Sequence, residues 1–287
     1  MDAVRKALFD DPMFPFQLVF QDTKSPQREL PEHLHELYEM VYIYKGKGTF
    51  FINRNFYEMN AGDVFLIPGD TIHRAFPDPD DPVTSTAVFF SRVLVPIDSS
   101  SDSYSSLYCY ELARKRKRYK FEASDSLRMQ LESALLMMHQ ETCEKQLGYK
   151  QAVRLHLQQL LLRFNRAAVS EIQADTADIQ VGPGWMKDIL QYMDEHHAER
   201  GMGLSALAER VSVTAAHFSR VFKQLTGMNV TDYVNAKRIV RAKELLLTTE
   251  ASIDVIADRC GFDSLPYFHR VFKAATGLTP GIFRRQR

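Results

Sequence analysis

Hydrophobic residues follow two different periods along this 287-residue chain. Over residues 14–90, short runs of β-branched and aromatic residues alternate with turn signals such as Asn60-Ala61-Gly62. Runs of this kind predict strands, here at residues 16–20, 38–44, 49–53, 63–67 and 85–90. Several short strands separated by turns favour a jelly roll or a closed β-barrel.

Beyond residue 124 the apolar positions take the period of an α-helix, which predicts helices at 125–144 and 149–168. The second helix carries an apolar stripe formed by Val153, Leu157, Leu160, Phe164 and Ala167. Such a stripe predicts packing on the barrel and on a second copy through a short coiled-coil seam. The alternative is a helix buried wholly within its own domain.

The last third of the chain contains one sequence twice. Residues 218–223 are FSRVFK and residues 268–273 are FHRVFK, and Thr-Gly follows each at the same distance. Upstream, residues 208–210 (AER) are echoed by residues 257–259 (ADR), so one residue has been gained in between. A repeat of this length predicts two copies of one supersecondary unit.

Each copy predicts a helix, a short turn and a second helix. We expect Ser205, Thr214, Ser252 and Ser264 to cap the four helices, and Gly261 to supply the second turn. Two helices joined by a three- or four-residue turn form a helix-turn-helix motif, whose second helix can enter the DNA major groove.

The two second helices are amphipathic at the same register. Their predicted core faces consist of Phe218, Val221, Phe222 and Leu225, and of Phe268, Val271, Phe272 and Ala275. Arginine on the opposite faces can bind guanine, and lysine can neutralise phosphate. A solvated basic face is the alternative, but two faces at one register favour DNA binding. The candidate DNA contacts are Ala216, His217, Ser219, Arg220, Lys223, Ser264, Tyr267, His269, Arg270 and Lys273.

Residues 185–287 resemble the DNA-binding domain of the AraC/XylS family of transcription regulators. The matching positions include Leu207-Ala208, FxRxFK in both copies, Gly227, Arg238, Gly261-Phe262, Gly277 and Pro280. The resemblance implies seven helices, with a long central helix at about 230–247 between helix-turn-helix motifs at about 204–225 and 252–275. Leu265-Pro266 departs from the family, where polar base-reading residues often stand, and this weakens direct base reading by the second motif.

The predicted strands contain a second family pattern. His33, His35, Glu39 and Gly46 match the first cupin motif, and Gly62, Pro68 and His73 match most of the second, with departures at Asp70 and Pro77. By resemblance to the metal-binding cupins, one divalent ion would be held by His33, His35, Glu39 and His73. Three imidazoles and a carboxylate suit Zn, Mn, Fe, Ni or Cu.

Sensor domains of the AraC type also resemble cupins, and there the barrel mouth holds a small effector, most commonly a carbohydrate. The candidate effector ligands are His33, His35, Glu39, Tyr42 and His73. The aromatic residues Tyr38, Tyr42, Phe51 and Phe89 could stack on a sugar ring or fill the strand core.

The charge distribution predicts a binding partner, and the cysteine content helps to predict the cellular compartment. The chain has 36 Lys and Arg against 36 Asp and Glu, yet residues 204–287 hold 13 against 7, so this part carries +6 and the remainder −6. A basic module joined to an acidic one favours a nucleic-acid binder joined to a sensor. Three scattered cysteines, no signal peptide and no long apolar run predict a soluble cytoplasmic protein that does not contact a membrane.

Three further segments have less specific patterns. Residues 99–103 (SSSDS) predict a flexible loop, and residues 169–184 a linker between domains. Residues 114–118 (RKRKR) could contact DNA phosphate or a nucleotide-like effector, although a solvated loop or helix end is the more common role of such a run.

The sequence thus predicts an α+β protein of two domains. Residues 1–168 form a cupin or jelly-roll β-barrel with a helical hairpin, for effector binding and dimerisation, and residues 185–287 form an all-α domain with two helix-turn-helix motifs. The predicted function is a sugar-responsive transcriptional regulator, expected to be an activator and not an enzyme. Its predicted partners are promoter DNA, a small-molecule effector, RNA polymerase and a second copy. No cofactor is expected, and a divalent metal in the barrel is the one candidate. Two alternatives stay open: a metal-dependent cupin enzyme fused to a DNA-binding domain, and a ligand-independent dimeric regulator.

Overall fold

The computed structural model describes residues 11, 13–23, 35–95, 104–170 and 181–285. These residues form two compact units, an N-terminal unit (11–170) and a C-terminal unit (181–285). His33, the loop at 99–103 and most of the predicted linker lie outside the described residues.

The N-terminal unit contains two antiparallel sheets. Its strands are β1 (Phe16–Thr23), β2 (Tyr38–Lys45), β3 (Gly48–Ile52), β4 (Asn55–Met59), β5 (Val64–Ile67), β6 (His73–Pro77), β7 (Thr84–Phe90) and β8 (Lys120–Phe121). One sheet has the order β1-β7-β2-β5-β8 and the other has the order β4-β3-β6. The two-sheet architecture confirms the predicted cupin-like fold.

Five of these strands were predicted, whereas β4, β6 and β8 were missed. Strand β4 follows β3 through the two residues Asn53-Arg54, and β3 pairs with β4 from Ile52 opposite Asn55 to Gly48 opposite Met59. Because the connection is so short, the hydrophobic residues of β3 and β4 follow one another almost without a break, and the sequence pattern indicated a single strand. Strand β6 ends at a proline, which in sequence argues against a strand.

Strand β2 separates two hydrophobic cores because successive side chains point to opposite faces of a sheet. Met40 and Tyr42 join the core formed with the helices. Val41 and Ile43 join a second core between the two sheets. The five-stranded sheet is therefore covered on both faces.

Three helices cover the outer face of this sheet: α1 (Tyr108–Arg116), α2 (Asp125–Glu144) and α3 (Tyr149–Ser170). Helix α1 was not predicted. The predicted stripe of α3 does not face outward, since Val153, Leu157, Leu160 and Phe164 are at most 1% exposed and belong to the core of their own unit. The stripe is therefore buried within its own domain, which was the second of the two predicted roles, because α3 packs on both α1 and α2.

The C-terminal unit contains seven helices among its described residues, as the family resemblance implied. They are α4 (Trp185–His196), α5 (Leu204–Arg210), α6 (Ala215–Thr226), α7 (Val230–Thr248), α8 (Ile253–Arg259), α9 (Leu265–Thr276) and α10 (Pro280–Arg284). Helices α5 and α8 have 7 residues each, and α6 and α9 have 12 each. The repeat in the sequence is therefore a repeat of structure.

The helix caps were predicted correctly for the second helix of each motif. Thr214 and Ser264 accept hydrogen bonds from the backbone N–H groups of His217 and Tyr267. The cap at Ser205 was wrong, because α5 begins after Gly203 and Ser205 lies inside it. Ser252 is the N-cap residue of α8 as predicted, but its side chain makes no capping hydrogen bond.

The core faces of α6 and α9 differ from the prediction at their last turn. Leu225 is half-buried and Ala275 is exposed, whereas the next residues, Thr226 and Thr276, are buried. Each threonine hydroxyl donates to the carbonyl four residues earlier, at 2.7 Å in α6 and 2.8 Å in α9. A threonine can enter the core here because this bond satisfies its hydroxyl.

The turns of the two motifs are sterically different. Each contains a residue with left-handed backbone, Ser212 (φ 56°) in the first and Gly261 (φ 81°) in the second. A Cβ atom at Gly261 would lie 2.4 Å from the carbonyl oxygen of Ala198, which belongs to the backbone and cannot rotate away. The second turn therefore requires glycine.

We predict that Gly261→Ala destabilises the protein by more than about 1 kcal/mol, because alanine is strained at this φ and collides with Ala198. Ser212→Gly is the matched control at the first turn. It is expected to leave stability unchanged or slightly raised, because it relieves the same backbone strain without a collision. Urea melts of the full chain measure both, and a wild-type midpoint for Gly261→Ala would contradict the prediction.

Candidate nucleic-acid interface and buried polar cluster

The two recognition helices, α6 and α9, display the predicted DNA contacts on their outer sides. In α6, Ala216, His217, Arg220 and Lys223 are exposed and Ser219 is half-buried. In and before α9, Ser264, Arg270 and Lys273 are exposed, and Tyr267 and His269 are half-buried. The register is the same in both helices, so the basic residues occupy equivalent places in both motifs.

Each recognition helix holds its central arginine against the residue one turn earlier. Arg220 Nη2 donates to His217 Nδ1 over 3.3 Å. The guanidinium carbon of Arg270 lies 5.1 Å from the centre of the Tyr267 ring. Sequence reasoning missed both contacts, although the three-residue spacing that permits them was visible.

The basic run at residues 114–118 forms the last turn of α1 and the residues that follow it. Arg114 Nη2 donates to the carbonyl oxygen of Gly69 at 2.6 Å. Positive side chains at this place are favourable, because a helix C-terminus carries partial negative charge. Residues 114–118 thus lie at a helix end, which was one of the predicted roles of this run. A contact of the run with DNA or an effector stays a prediction.

In the N-terminal unit, His35, Glu39 and His73 form a buried polar cluster. Glu39 is the second residue of β2 and His73 the first of β6, so the cluster bridges the two sheets at one end. Glu39 Oε2 lies 2.9 Å from His73 Nε2 and 3.4 Å from His35 Nε2. The fourth predicted member, His33, is outside the described residues.

Backbone carbonyls orient both imidazole rings of this cluster. His35 Nδ1 lies 3.1 Å from Leu37 O, and His73 Nδ1 lies 2.8 Å from Thr71 O. A carbonyl only accepts hydrogen bonds, so each Nδ1 carries the proton. In the neutral form of each ring, Nε2 therefore presents its lone pair to the side of Glu39.

Charge and burial act in opposite directions on the ionisable groups of the cluster. Burial raises the pKa of Glu39, but the neighbouring His73 and His35 outweigh it, and the pKa lies well below its ordinary value. Burial lowers the pKa of His73, but the charge and hydrogen bond of Glu39 raise it above its ordinary value. Glu39 is thus a carboxylate at neutral pH.

The donor set fits a divalent metal ion. One ligand atom from each of His35, Glu39 and His73 can be chosen so that all lie within 4.8 Å of one another. Two imidazole nitrogens and a carboxylate oxygen suit Zn²⁺ or a neighbouring transition metal. The Nδ1–carbonyl bonds are the outer contacts that fix the ring orientation of metal-binding histidines.

The predicted effector residue Tyr42 does not join this cluster. It lies on the other face of β2, and its hydroxyl donates to Glu132 Oε1 at 2.5 Å. Side chains of a strand alternate between its two faces, so Glu39 and Tyr42, three positions apart, point to opposite sides of the sheet. Of the four aromatic candidates for sugar stacking, Phe89 is close to the cluster, with its ring 5.7 Å from that of His35.

Sequence reasoning missed a surface groove between α2 and α3. Its volume is about 390 Å³, and its lining includes Met129, Gln130, Met137, Gln159 and Arg163. Met129 is 67% exposed, and Leu136 and Met137 are also exposed. Apolar residues seven and eight positions apart on α2 were the available signal, because they share a helix face outside the predicted core.

Comparison with known proteins agrees with these two units. A model of the AraC-like ligand-binding domain matches residues 15–95, and a model of a helix-turn-helix domain matches residues 207–286. The HTH-type transcriptional activator RhaS of Escherichia coli (strain SE11) is 24% identical over 272 residues, which are 93% of this chain and 91% of that protein.

Two solved structures are similar as well. The C-terminal domain of AraT, a response regulator from Geobacillus stearothermophilus, is 34% identical over 37% of this chain and 87% of its own, with a TM-score of 0.36. ToxT from Vibrio cholerae is 16% identical over 94% of this chain and 98% of its own, also with a TM-score of 0.36.

Within the described ranges, no helix is both long and apolar enough to cross a bilayer.

The two family models and the similarity to RhaS agree with the architecture of two sheets followed by a duplicated helix-turn-helix. The chain therefore belongs to the AraC/XylS family, as a DNA-binding transcriptional regulator that responds to a small molecule through an AraC-like ligand-binding domain.

Proposed function

We propose that this regulator is a transcriptional activator that binds promoter DNA through both recognition helices and acts on RNA polymerase in the cytoplasm. The observation that carries the DNA-binding proposal is the equal placement of exposed basic residues on α6 and α9. RhaS is a transcriptional activator, and the similarity to it supports activation over repression. Residues 1–168 would serve as the effector-binding and dimerisation domain, 169–184 as the linker and 185–287 as the DNA-binding domain.

Within the interface, Arg220 and Arg270 are the proposed base contacts, because a guanidinium can bind guanine through two hydrogen bonds. Lys223 and Lys273 stand one turn further on and are proposed to neutralise phosphate. The second motif exposes Leu265 at the start of α9, where it can offer only an apolar contact. The first motif is therefore proposed to supply most of the sequence specificity.

We predict that Arg220→Ala weakens binding to the preferred site by about 1–3 kcal/mol and relaxes base preference. The site is first selected from random DNA with the wild-type chain, and affinities are then measured at one salt concentration. Arg220→Lys tests the same position with the charge retained and is expected to relax base preference, because lysine lacks the planar fork. Arg92→Ala, in the N-terminal unit, is the control. Equal losses on selected and random DNA would restrict Arg220 to phosphate contact.

For the effector, we propose that the buried cluster of His35, Glu39 and His73 is the ligand site, with His33 as a fourth candidate. A carbohydrate is the first candidate by family resemblance. A divalent metal is the second, and it is favoured by the convergence of the three ligand atoms within 4.8 Å. We propose that either ligand acts as a signal and that the chain has no enzymatic activity, since the relatives are transcription regulators.

A thermal-shift screen against pentoses, hexoses, Zn²⁺ and Mn²⁺, with and without EDTA, tests the ligand site. A ligand at about 100 times its Kd stabilises the folded state by about 2.7 kcal/mol, which raises the melting temperature. Glu39→Gln is expected to abolish the shift, whereas Glu58→Gln, an exposed glutamate on β4, retains it. A metal-dependent shift that EDTA reverses selects metal over sugar. A shift that survives Glu39→Gln would contradict the proposed site.

We propose that two copies associate through the exposed face of α2 and α3. The face carries Met129, Leu136 and Met137 on α2 and Leu155 on α3, all exposed. A cluster of exposed apolar side chains on one face is typical of an interaction site. This face replaces the stripe at Val153 and Leu157, whose burial leaves it no surface for a partner.

Met137→Glu is predicted to shift the protein from dimer to monomer, because it places a charge in the proposed contact. Analytical ultracentrifugation over a range of protein concentrations measures the shift. Leu147→Glu, in the fully exposed connection between α2 and α3, is the matched control and is expected to leave the dimer intact. An unchanged dissociation constant for Met137→Glu would exclude this face.

A further inference from the structure

The two recognition helices share a contact that neither family resemblance nor the proposed base contacts require. Positions 217 and 267 are equivalent in the repeat, and each precedes its arginine by three residues. In α6 the contact is the hydrogen bond from Arg220 to His217 Nδ1, and in α9 it is Arg270 over the ring of Tyr267. A different side chain thus contacts the equivalent arginine in each copy.

Both partner residues also contact a second helix. The ring of His217 stands edge-on to the Trp185 ring of α4, with centroids 6.4 Å apart. The Tyr267 hydroxyl accepts a hydrogen bond of 2.8 Å from Asn235 Nδ2 of α7. Tyr267 is half-buried and Asn235 is buried, so this second contact is sheltered from water. Each arginine is therefore connected to the helical scaffold through one intermediate side chain.

Such a connection has a physical consequence for binding. A free arginine samples many rotamers and must give them up when it binds a base edge. A neighbour that already restricts the guanidinium lowers this entropic cost, which is the general advantage of preorganisation. The restriction of one side chain corresponds to roughly a twofold to tenfold change in affinity.

We propose that His217 and Tyr267 are positioning residues, which hold Arg220 and Arg270 for contact with bases and do not themselves read the sequence. This inference rests on the proposed function of the two arginines. It revises the expectation that positions 217 and 267 touch DNA. It also assigns the same role to an imidazole acceptor in one copy and to an aromatic face in the other.

A double-mutant cycle tests the inference at the first motif. The full chain and its variants His217→Leu, Arg220→Ala and the double variant are titrated with the selected DNA site at one salt concentration. We expect His217→Leu to weaken binding about twofold to tenfold and to have no further effect in the Arg220→Ala background. If the two losses multiply, His217 contacts DNA by itself and the inference is wrong.

The second motif provides a conservative variant. Tyr267→Phe keeps the aromatic face and Tyr267→Leu removes it, so we expect Tyr267→Phe to bind the selected site more tightly than Tyr267→Leu. This difference should vanish in the Arg270→Ala background. A difference that persists without Arg270 would overturn the inference. Urea melts identify variants that lose the fold, and unchanged binding to random DNA identifies those that keep the interface.

The outcome also separates this inference from the function on which it rests. If Arg220→Ala and Arg270→Ala leave affinity and base preference unchanged, the proposed contacts fail and the positioning role falls with them. If both arginines matter but their effects are independent of positions 217 and 267, the proposed contacts stand and the positioning role alone is wrong.

Discussion

One buried cation organises the C-terminal unit. Arg238 of α7 is 8% exposed, and its guanidinium donates to the carbonyl oxygens of His197 and Glu199, at 2.7 and 2.9 Å. It also lies 5.7 Å from the ring centre of Phe262, beside the turn of the second motif. A buried charge is costly unless it is hydrogen-bonded, and here two carbonyls that follow α4 accept hydrogen bonds from the guanidinium. The central helix therefore fixes the end of α4 and the second helix-turn-helix at the same point.

The N-terminal unit depends in the same way on one strand. The inner face of β2 presents Glu39 to the histidine cluster, and its outer face presents Tyr42 to Glu132 of α2. Only two residues of β2 thus lie between Glu39 at the candidate ligand site and Tyr42 at the helical layer that bears the proposed dimer face. A ligand can influence a distant contact only if both act on a shared structural element, and β2 is one element that touches both environments.

The sequence was most informative where the repeat constrained it. Two copies of FxRVFK defined α6 and α9, and Thr214 and Ser264 were identified as caps because local spacing determines a cap. Prediction failed where a neighbour far along the chain decides the outcome. Tyr42 was grouped with Glu39 by chemistry, although strand alternation separates them, and the stripe at Val153 is buried by helices that its own period cannot reveal. The arginine contacts of His217 and Tyr267 were missed because a three-residue spacing on a helix permits a contact between two side chains but does not show that it forms.

The unequal turns of the two motifs limit how the copies can diverge. The first turn accommodates the Ser212 side chain in the left-handed region, at the cost of the backbone strain that any residue other than glycine has there. The second turn is closed by the carbonyl of Ala198, and nothing larger than a hydrogen atom fits at position 261. The two motifs are similar in sequence, but at the second turn the backbone that follows α4 leaves no space for a side chain. Position 212 can consequently accept side chains that position 261 cannot, so the first turn is the freer of the two to vary.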